Sequence, residues 1–389
     1  MANRFFYEFF AGGGMARLGL GPDWTCLLAN DIDPKKVATY QANFGKKEIV
    51  HGDVYKLRSG DLPGRADLAW ASFPCQDLSL AGNRAGLAGE RSGAFWGFWQ
   101  AISSLSAENR APRLLVLENV TGALSSHGGQ DFRELAQAVF SLGYDFGALV
   151  IDAVHFLPQS RPRLFVVCQK RGEQYRPELV ADAPIRPWHN EAVYQAYSSL
   201  PSHLGAVWRW WRLPIPKPRQ LNLADMLERD DDVSTWHSDA ETSRLLSMMS
   251  PTNLEKVKVA QASGERTVGT IYKRTRNEER LGRVQRAEVR FDGIAGCLRT
   301  PGGGSSRQII LVVDKKKIRS RLLTVREAAN LMGVPKSADY AIPENYNDGY
   351  HIFGDGLAVP AVSFLREHLL DRLTGPALDR PTVMTIAAE

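Results

Sequence analysis

The residues best suited to chemistry lie in three short polar segments that adjoin apolar runs. Cys75 lies in SFPCQDLS, Glu118 closes the run LLVLE, and Arg161 and Arg163 alternate in QSRPR. A thiolate is a nucleophile, a carboxyl group can hold or transfer a proton, and guanidinium groups stabilise developing negative charge. The combination would suit nucleophilic catalysis by Cys75.

Each of these residues also has a purely structural interpretation. A lone Cys is usually a small buried hydrophobe. Glu118 could cap a helix or lie at the surface, and the two arginines could be charges that face solvent. Phe73 and Pro74 favour a functional interpretation of Cys75, because they predict a stiff loop at the end of an apolar strand.

A glycine-rich segment and two acidic residues indicate a bound nucleoside. The segment AGGGMARLGLG (11–21) follows the first apolar run, where glycines let the backbone approach a ligand and begin a helix. Asp31 and Asp53 follow the second and third predicted strands, where a carboxylate can bind a ribose diol or an adenine amino group. Each Asp alone could be a cap or turn residue, whereas together they favour an adenosine-containing ligand.

The alternation of apolar and helix-like segments predicts an α/β fold. The strand-like runs are Phe5–Phe10, Cys26–Ala29, Leu68–Ala71, Leu114–Leu117 and Leu164–Cys168. Helix-like segments separate them, which is typical of a doubly wound, Rossmann-like parallel sheet with helices on both faces.

The chain is long enough for two domains. Frequent prolines and weak periodicity set residues 171–317 apart as a second, smaller, loop-rich domain, with a tryptophan cluster at 208–211. Regular patterning then resumes, with a capping box from Thr324 to Glu327. The expected divisions are 1–170, 171–317, a hinge at 318–345, and a return to the first domain at 346–389.

Composition and charge exclude several classes of protein. Of the 389 residues, 44% are hydrophobic and 23% are charged, which is typical of a globular chain. Basic residues predominate in the middle of the sequence, which suits either a polyanion partner or a solvated surface. The four cysteines form no CxxC pair and have no histidine cluster nearby, so we expect neither a disulfide framework nor a metal site. We also expect no membrane span and no signal peptide, and a reducing cytoplasm as the setting.

Four motifs, taken in order, resemble a known family. EFFAGGG, SFPCQDLS, ENV and QSRPR are similar to the donor loop, nucleophile loop, acid strand and arginine strand of bacterial modification-type DNA cytosine-5 methyltransferases. The resemblance covers residues 5–168 and 318–365 well and the middle poorly. It implies an S-adenosylmethionine-binding catalytic domain at 1–170 and a target recognition domain at 171–317.

The resemblance also implies roles for the candidate catalytic residues. Cys75 would add to carbon 6 of cytosine, so that carbon 5 could attack the methyl group of the donor. Glu118 would hold or protonate ring nitrogen 3, and Arg163 would bind the carbonyl oxygen, while Arg161 would position this loop or a phosphate. Loss of the carbon-5 proton would then expel the thiolate. In a duplex, the base would have to flip out.

The family's donor-binding residues can be carried over to matching positions. Asp31 would bind the ribose hydroxyls, and Asp53 would bind the adenine amino group. Ile32 and Val54 would pack on the adenine ring. The full expected set is Phe10, Ala11, Gly12, Gly14, Asp31, Ile32, Asp53, Val54 and Pro74. Asp355 and Gly356 depart from the Asn and Ser usual in the final motif. Because Asp355 cannot donate as an amide does, a contact with the donor carboxylate is not carried over to it.

The expected DNA contacts lie beside the nucleophile and in the middle of the chain. The predicted set is Gln76, Ser79, Arg91, Lys273, Arg274, Arg276, Arg299 and Arg307. Basic residues of this kind suit phosphate or groove contacts, and they equally suit a solvated surface. The resemblance implies duplex DNA as partner, a monomer, no metal, and a possible pairing with a restriction endonuclease in the cytoplasm, at the nucleoid, of a bacterium.

Three alternatives remain at this point. The chain could be an RNA or tRNA cytosine-5 methyltransferase, although the large basic middle favours duplex DNA. It could be a catalytically inactive DNA-binding regulator, which the presence of Cys75, Glu118 and Arg163 argues against. A dehydrogenase would explain the glycine-rich loop but leaves SFPCQ without a role.

Overall fold

The computed structural model describes residues 4–74, 93–174, 176–278, 282–300, 307–335 and 339–375. Its main element is a seven-stranded sheet. The strands are β1 (Arg4–Phe9), β2 (Trp24–Asp31), β3 (Ile49–His51), β4 (Leu68–Ser72), β5 (Leu114–Asn119), β6 (Tyr144–Asp152) and β7 (Pro162–Lys170). Their order across the sheet is β3-β2-β1-β4-β5-β7-β6. The change of direction between β1 and β4 is where such sheets bind ligands.

The predicted doubly wound α/β sheet is confirmed, with one departure from the expected parallel arrangement. Strand β7 is antiparallel to both of its neighbours, β5 and β6. Only residues 153–161 connect β6 to β7. That connection is too short for the crossover that a parallel pair requires, so the chain forms an antiparallel pair instead.

Helices cover both faces of this sheet and continue through the rest of the chain. The α-helices are α1 (Met15–Leu20), α2 (Pro34–Phe44), α3 (Ala94–Ala107), α4 (Gln130–Ser141), α5 (Glu191–Ser198), α6 (Ser202–Gly205), α7 (Leu223–Met226), α8 (Asp239–Ser247), α9 (Pro251–Ala262), α10 (Val325–Leu331), α11 (Tyr346–Asp355), α12 (Val359–Leu365) and α13 (Asp371–Thr374). A π-helical turn, Arg366–Leu370, joins α12 to α13.

Two hydrophobic cores lie on opposite faces of the sheet. Along β5, Leu114 and Val116 join the core formed with α1, α2 and α12, whereas Leu115 and Leu117 join the core formed with α3 and α4. Successive side chains of a strand point to opposite faces, so an uninterrupted apolar strand is buried on both sides. This burial fixes the carboxyl ends of β1, β2, β4 and β5 along one edge.

The tryptophan cluster at 208–211 packs on the large sheet. Strand β9 (Trp210–Trp211) pairs with β8 (Val180–Ala181), and the Phe146 backbone of β6 exchanges hydrogen bonds with Val207 and Arg209. Trp211 belongs to one core of the large sheet, and Trp208 and Trp210 belong to the other. The domain limit expected at residue 171 therefore does not coincide with a break in packing, and the domain bounds stay a prediction.

A second, antiparallel sheet follows. It consists of β10 (Arg266–Glu278), β11 (Gly282–Arg290), β12 (Ile309–Asp314) and β13 (Lys317–Leu322), in the order β11-β10-β12-β13. Helices α8 and α9 pack on it through a third hydrophobic core. The expected hinge from 318 begins inside β13, the last strand of this sheet.

A buried ion pair connects the second sheet to the last part of the chain. Arg321 of β13 donates two hydrogen bonds to Glu327 of α10, at 2.6 and 2.7 Å, and both side chains are buried. The capping box predicted from Thr324 to Glu327 is present. Glu327 therefore caps its own helix and pairs with Arg321, which connects the second sheet to α10.

Candidate active site

A cleft of about 540 Å³ opens at the carboxyl edge of the large sheet. One wall is the loop after β1 and the start of α2, and the floor is the ends of β4 and β5. The far wall is the end of α11 and the two residues that follow it, Gly356 and Leu357. The described residues that line it are Glu8, Phe10, Ala11, Gly12, Gly13, Met15, Ala16, Asp31, Ile32, Asp33, Lys36, Ser72, Phe73, Pro74, Glu118, Asn119, Val120, Arg163, Thr300, His351, Ile352, Gly354, Asp355, Gly356 and Leu357.

The glycine-rich loop adopts an uncommon backbone conformation where it lines the cleft. Phe10 has a φ of 58° and Gly12 a φ of 55°. A positive φ costs free energy in a residue that has a β-carbon, so the surrounding structure must hold Phe10 in place. Gly14, the remaining expected glycine, lies at the start of α1 against Phe44 and not among the lining residues.

Asp31 fixes this loop from the end of β2. Its Oδ2 accepts a hydrogen bond from the Gly12 amide at 2.8 Å, and its Oδ1 accepts one from the Asp33 amide at 2.8 Å. A carboxylate has about four acceptor positions, so both oxygens can still accept from a ligand. Asp31 can therefore hold the loop and bind a ribose diol at the same time.

The expected adenine-binding residues are divided between the cleft and the core. Ile32 is 65% exposed and lines the cleft, which gives a flat ring an apolar surface. Val54 is buried against Gly97 of α3, and Asp53 accepts a hydrogen bond from the Tyr55 amide at 3.0 Å. Neither Asp53 nor Val54 lines the cleft, so their adenine contacts stay a prediction.

Glu118 and Arg163 form a buried pair at the other end of the cleft. Arg163 Nε lies 3.4 Å from Glu118 Oε1. Burial raises the pKa of the Glu118 carboxyl, although Arg163 and Arg161 act in the opposite direction. A carboxyl group that retains its proton can donate to a ring nitrogen, and the neighbouring guanidinium can bind an oxygen.

Two further side chains position these groups. Ser72, at the end of β4, is opposite Glu118 in the strand register. Asn119 donates from Nδ2 to the Phe73 carbonyl at 3.0 Å, and its Oδ1 accepts from the Val120 amide at 2.8 Å. Asn119 thus fixes the residue two positions before Cys75 to the strand that carries Glu118.

Arg161 is a structural residue in this site. Its side chain donates to the carbonyl oxygens of Leu298, Gly354 and Gly356, at 2.8, 2.9 and 2.6 Å. The residue is 1% exposed. Of the two roles expected for it, positioning fits this burial, whereas contact with a phosphate does not. Arg161 and Arg163 also both approach Cys297, with Arg161 Nη1 3.3 Å from its sulfur.

Several expected residues lie outside the described part of the chain. They are Cys75, Gln76, Ser79 and Arg91. Pro74, the last residue described before them, lines the cleft and is exposed. The described chain therefore leads to Cys75 from the wall of the cleft.

The expected DNA contacts lie on the second sheet and near α11. Lys273, Arg274 and Arg276 are on β10. Arg274 and Arg276 are exposed, and both pair with Glu288 of β11, which offsets part of their charge. Arg299 is exposed, whereas Arg307 donates to Asn347 at 2.6 Å.

Sequence reasoning missed three charged residues of the cleft, Glu8, Asp33 and Lys36. Glu8 is buried in β1 and accepts a hydrogen bond from Tyr40 at 3.3 Å. Burial raises its pKa to about 8, while Arg17 and Tyr40 act to lower it. Its position directly before the glycine-rich loop, within EFFAGGG, was a usable signal.

Neither a candidate metal site nor a membrane-spanning helix occurs among the described residues. No group of three or more His, Cys, Asp or Glu side chains in these ranges could hold a metal ion. No helix within the same ranges is long and apolar enough to cross a membrane. Cys26 and Cys168 are buried free thiols, and burial raises the pKa of Cys26 to about 12.

The fold and the cleft define a class of protein: a doubly wound, Rossmann-like α/β protein whose cleft ends at a carboxyl–guanidinium pair. The sequence profile of the C-5 cytosine-specific DNA methylases matches residues 5–371. The chain belongs to this family, and the predicted family is confirmed. It is a DNA cytosine-5 methyltransferase, and its methyl donor is S-adenosylmethionine.

Relatives and solved structures agree with this assignment. The chain is 37% identical over 164 residues to the Type II methyltransferase M.BsuFI of Bacillus subtilis, which covers 42% of this chain and 38% of that protein. It is 26% identical over 365 residues to the Type II methyltransferase M.Bsp6I of Bacillus sp. (strain RFL6). This match covers 92% of this chain and 96% of that protein. The solved structure of S. pombe Dnmt2 methyltransferase has a TM-score of 0.61 at 19% identity, covers 96% of this chain and 100% of its own, and shares the fold.

Proposed function

We propose that the protein methylates carbon 5 of a cytosine that has rotated out of a short, specific duplex DNA sequence. We further propose that this modification protects host DNA from a cognate restriction endonuclease. The observation that carries the proposal is the buried pair of Glu118 and Arg163, 3.4 Å apart at the end of the donor cleft. The base must leave the stack, because carbon 6 of a paired cytosine is not accessible to a side chain in such a cleft.

Two observations support binding of the donor in this cleft. The Gly12 amide is already oriented by Asp31, and the exposed face of Ile32 offers an apolar surface for a purine. When bound, S-adenosylmethionine supplies an electrophilic methyl group on a sulfonium. Asp31 would bind the ribose hydroxyls, Ile32 would contact adenine, and the loop from Phe10 to Gly13 would hold the amino-acid end.

The reaction at the base follows from the residue chemistry. The thiolate of Cys75 would form a bond to carbon 6, and the ring electrons would move to carbon 5. Carbon 5 would then bond to the methyl carbon as the bond from that carbon to the donor sulfur breaks, which leaves a neutral thioether. Glu118 would share its proton with ring nitrogen 3, and Arg163 would donate to the carbonyl oxygen. Loss of the proton from carbon 5 would then restore the ring double bond and release the thiolate.

Target recognition is proposed for the second sheet and the segment that follows it. Lys273, Arg274 and Arg276 on β10, with Arg299, would contact phosphates and groove edges. Partial neutralisation of Arg274 and Arg276 by Glu288 would weaken non-specific attraction more than a base-specific contact, because non-specific attraction is purely electrostatic. One catalytic cleft and one recognition sheet suffice, so we propose a monomer that acts at the bacterial nucleoid.

The test is methyl transfer mapped at single-base resolution. The purified protein and its Cys75→Ser variant would be incubated with labelled S-adenosylmethionine and unmethylated genomic DNA or tRNA, and modified cytosines would be mapped by bisulfite sequencing. We expect label at one short recurring DNA sequence, absent with the variant. Label in tRNA alone would contradict the DNA specificity. Failure of the methylated DNA to resist a nuclease that cuts the mapped sequence would contradict the protective role.

A further inference from the structure

An ion pair lies within the donor cleft. Lys36 Nζ, from the first turn of α2, is 2.7 Å from Oδ2 of Asp355, the last residue of α11. Both residues line the cleft. The Lys36 side chain is 20% exposed, and that of Asp355 is 44% exposed.

Cationic groups are scarce among the described lining residues. Five of these residues are acidic, namely Glu8, Asp31, Asp33, Glu118 and Asp355. Only Lys36 and Arg163 are lysine or arginine, and Arg163 is paired with Glu118 at the end where the base would bind. Among the lysine and arginine residues in the described part of the cleft, Lys36 is therefore the one that remains for an anionic group of a ligand.

The methyl donor carries such a group, because its methionine end has a carboxylate. Asp355 cannot donate a hydrogen bond to it and would repel it. We propose that Lys36 binds the carboxylate of the donor, and that Asp355 holds the Lys36 ammonium in place for this contact. An ammonium has three donor hydrogens, so a bond to Asp355 leaves two for the ligand. The inference rests on the proposed position of the donor in this cleft.

The surroundings keep Lys36 charged and ordered. Burial acts to lower the pKa of Lys36, but Asp355, Asp31 and Asp33 offset it and the pKa is raised. The backbone is fixed too, because Asp33 caps α2 by accepting hydrogen bonds from the Lys35 and Lys36 amides. The ammonium is therefore positioned before any ligand arrives, which reduces the entropic cost of binding.

The neighbouring residue offers a matched control. Lys35 Nζ is 2.8 Å from Oδ1 of Asp348, so this pair also connects α2 to α11. The Lys35 side chain is 68% exposed, however, and Lys35 does not line the cleft. A change at Lys35 thus removes an equivalent connection between the helices without removing a cation from the cleft.

The experiment compares two ligands by isothermal titration calorimetry on the full-length protein without DNA. S-adenosylhomocysteine carries the amino-acid carboxylate, and 5′-methylthioadenosine lacks the amino-acid end. We expect Lys36→Met to weaken S-adenosylhomocysteine binding about tenfold or more, as loss of a charge-assisted hydrogen bond would. Binding of 5′-methylthioadenosine should change less than about twofold. Lys36→Arg should restore most of the affinity for S-adenosylhomocysteine, and Lys35→Met should change the affinity for neither ligand.

Each other outcome has a definite meaning. Unchanged S-adenosylhomocysteine binding by Lys36→Met would overturn the inference while leaving the donor site intact. Equal loss of both ligands would overturn it as well, because it would indicate a structural effect on the cleft. Absence of S-adenosylhomocysteine binding by the unmodified protein would instead contradict the donor site itself, and the inference with it.

Discussion

Arg163 Nε lies 3.4 Å from Glu118 Oε1, and the two side chains come from strands β7 and β5, which run in opposite directions. The antiparallel insertion of β7 is what brings the start of one strand beside the end of the other. In a wholly parallel sheet, the start of β7 would lie at the opposite edge, away from the cleft. The departure from parallel topology therefore builds the catalytic end of the site.

Glu118→Gln should stop methyl transfer without affecting the donor site. Gln cannot share a proton with ring nitrogen 3, so we expect kcat to fall by about 10²–10³-fold. Affinity for S-adenosylhomocysteine should stay within about twofold, since Asp31 and the glycine-rich loop are unchanged. Single-turnover methylation and calorimetry measure the two quantities. An equal loss of rate and donor affinity would argue for a structural role.

The two arginines of β7 should differ in what they contribute. Arg161→Met removes a guanidinium that donates to three carbonyl oxygens, so we expect the free energy of unfolding to fall by about 2–4 kcal/mol. Arg163→Met should lower the free energy of unfolding by only about 1 kcal/mol, because Glu118 can take up a proton when its partner is lost. The same variant should nevertheless abolish methylation. Urea denaturation of both variants checks this. Similar losses of stability would contradict the division of roles.

Glu8 should make stability depend on pH. Its pKa is about 8 in the folded protein against an ordinary value of 4.5, so folding takes up a proton between these values. The stabilisation is fully present below the ordinary pKa and is lost as pH rises towards 8, by up to about 1.4 kcal/mol per pH unit. Glu8→Gln should remove this slope.

The measurement for Glu8 is chemical denaturation of both proteins between pH 5 and pH 8. The free energy of unfolding of Glu8→Gln, relative to that of the unmodified protein, should rise by about 3–4 kcal/mol between pH 5 and pH 8. Parallel stability curves would show that Glu8 titrates alike in the folded and unfolded states.

Asp31→Asn should impair both the loop and the ribose contact. The amide keeps one acceptor but turns a donor towards either the Gly12 or the Asp33 amide. We expect about 10–100-fold weaker binding of S-adenosylhomocysteine and also of 5′-methylthioadenosine, because both contain the ribose. This distinguishes Asp31 from Lys36, whose loss should affect only the ligand with a carboxylate. Unaltered 5′-methylthioadenosine binding by Asp31→Asn would contradict the ribose contact.

The sequence predicted site residues best where an acidic residue lies at the end of an apolar strand. Glu118 and Asp31 each close an apolar run. The position of the cleft could therefore be predicted once a doubly wound sheet was expected. The direction of the strands was harder to predict from the sequence, because the antiparallel direction of β7 depends on the short link from residue 153 to residue 161. Thr324 and Glu327 were found because a capping box is local in sequence.

Contacts between distant parts of the chain were not predictable in this way. Lys36 and Asp355 are 319 positions apart, and neither is informative alone. Arg161 carried the same sequence signal as Arg163, yet its partners Leu298 and Gly354 fold over it and bury it. The tryptophan cluster at 208–211 suggested a separate domain by composition, whereas packing places it on the large sheet.

The central claim is that Cys75 attacks cytosine carbon 6 in duplex DNA, and a fluorinated substrate tests it most directly. Fluorine at carbon 5 cannot leave as a proton does, so the final elimination would stop with the enzyme still attached to the base. Duplex genomic fragments containing 5-fluorocytosine would be incubated with the protein and S-adenosylmethionine, then denatured and analysed by mass spectrometry. We expect a covalent adduct that joins Cys75 to a methylated base. The adduct should require the donor and should be absent with Cys75→Ser. Methylation of ordinary DNA without any such adduct, or an adduct that persists in Cys75→Ser, would contradict the central claim.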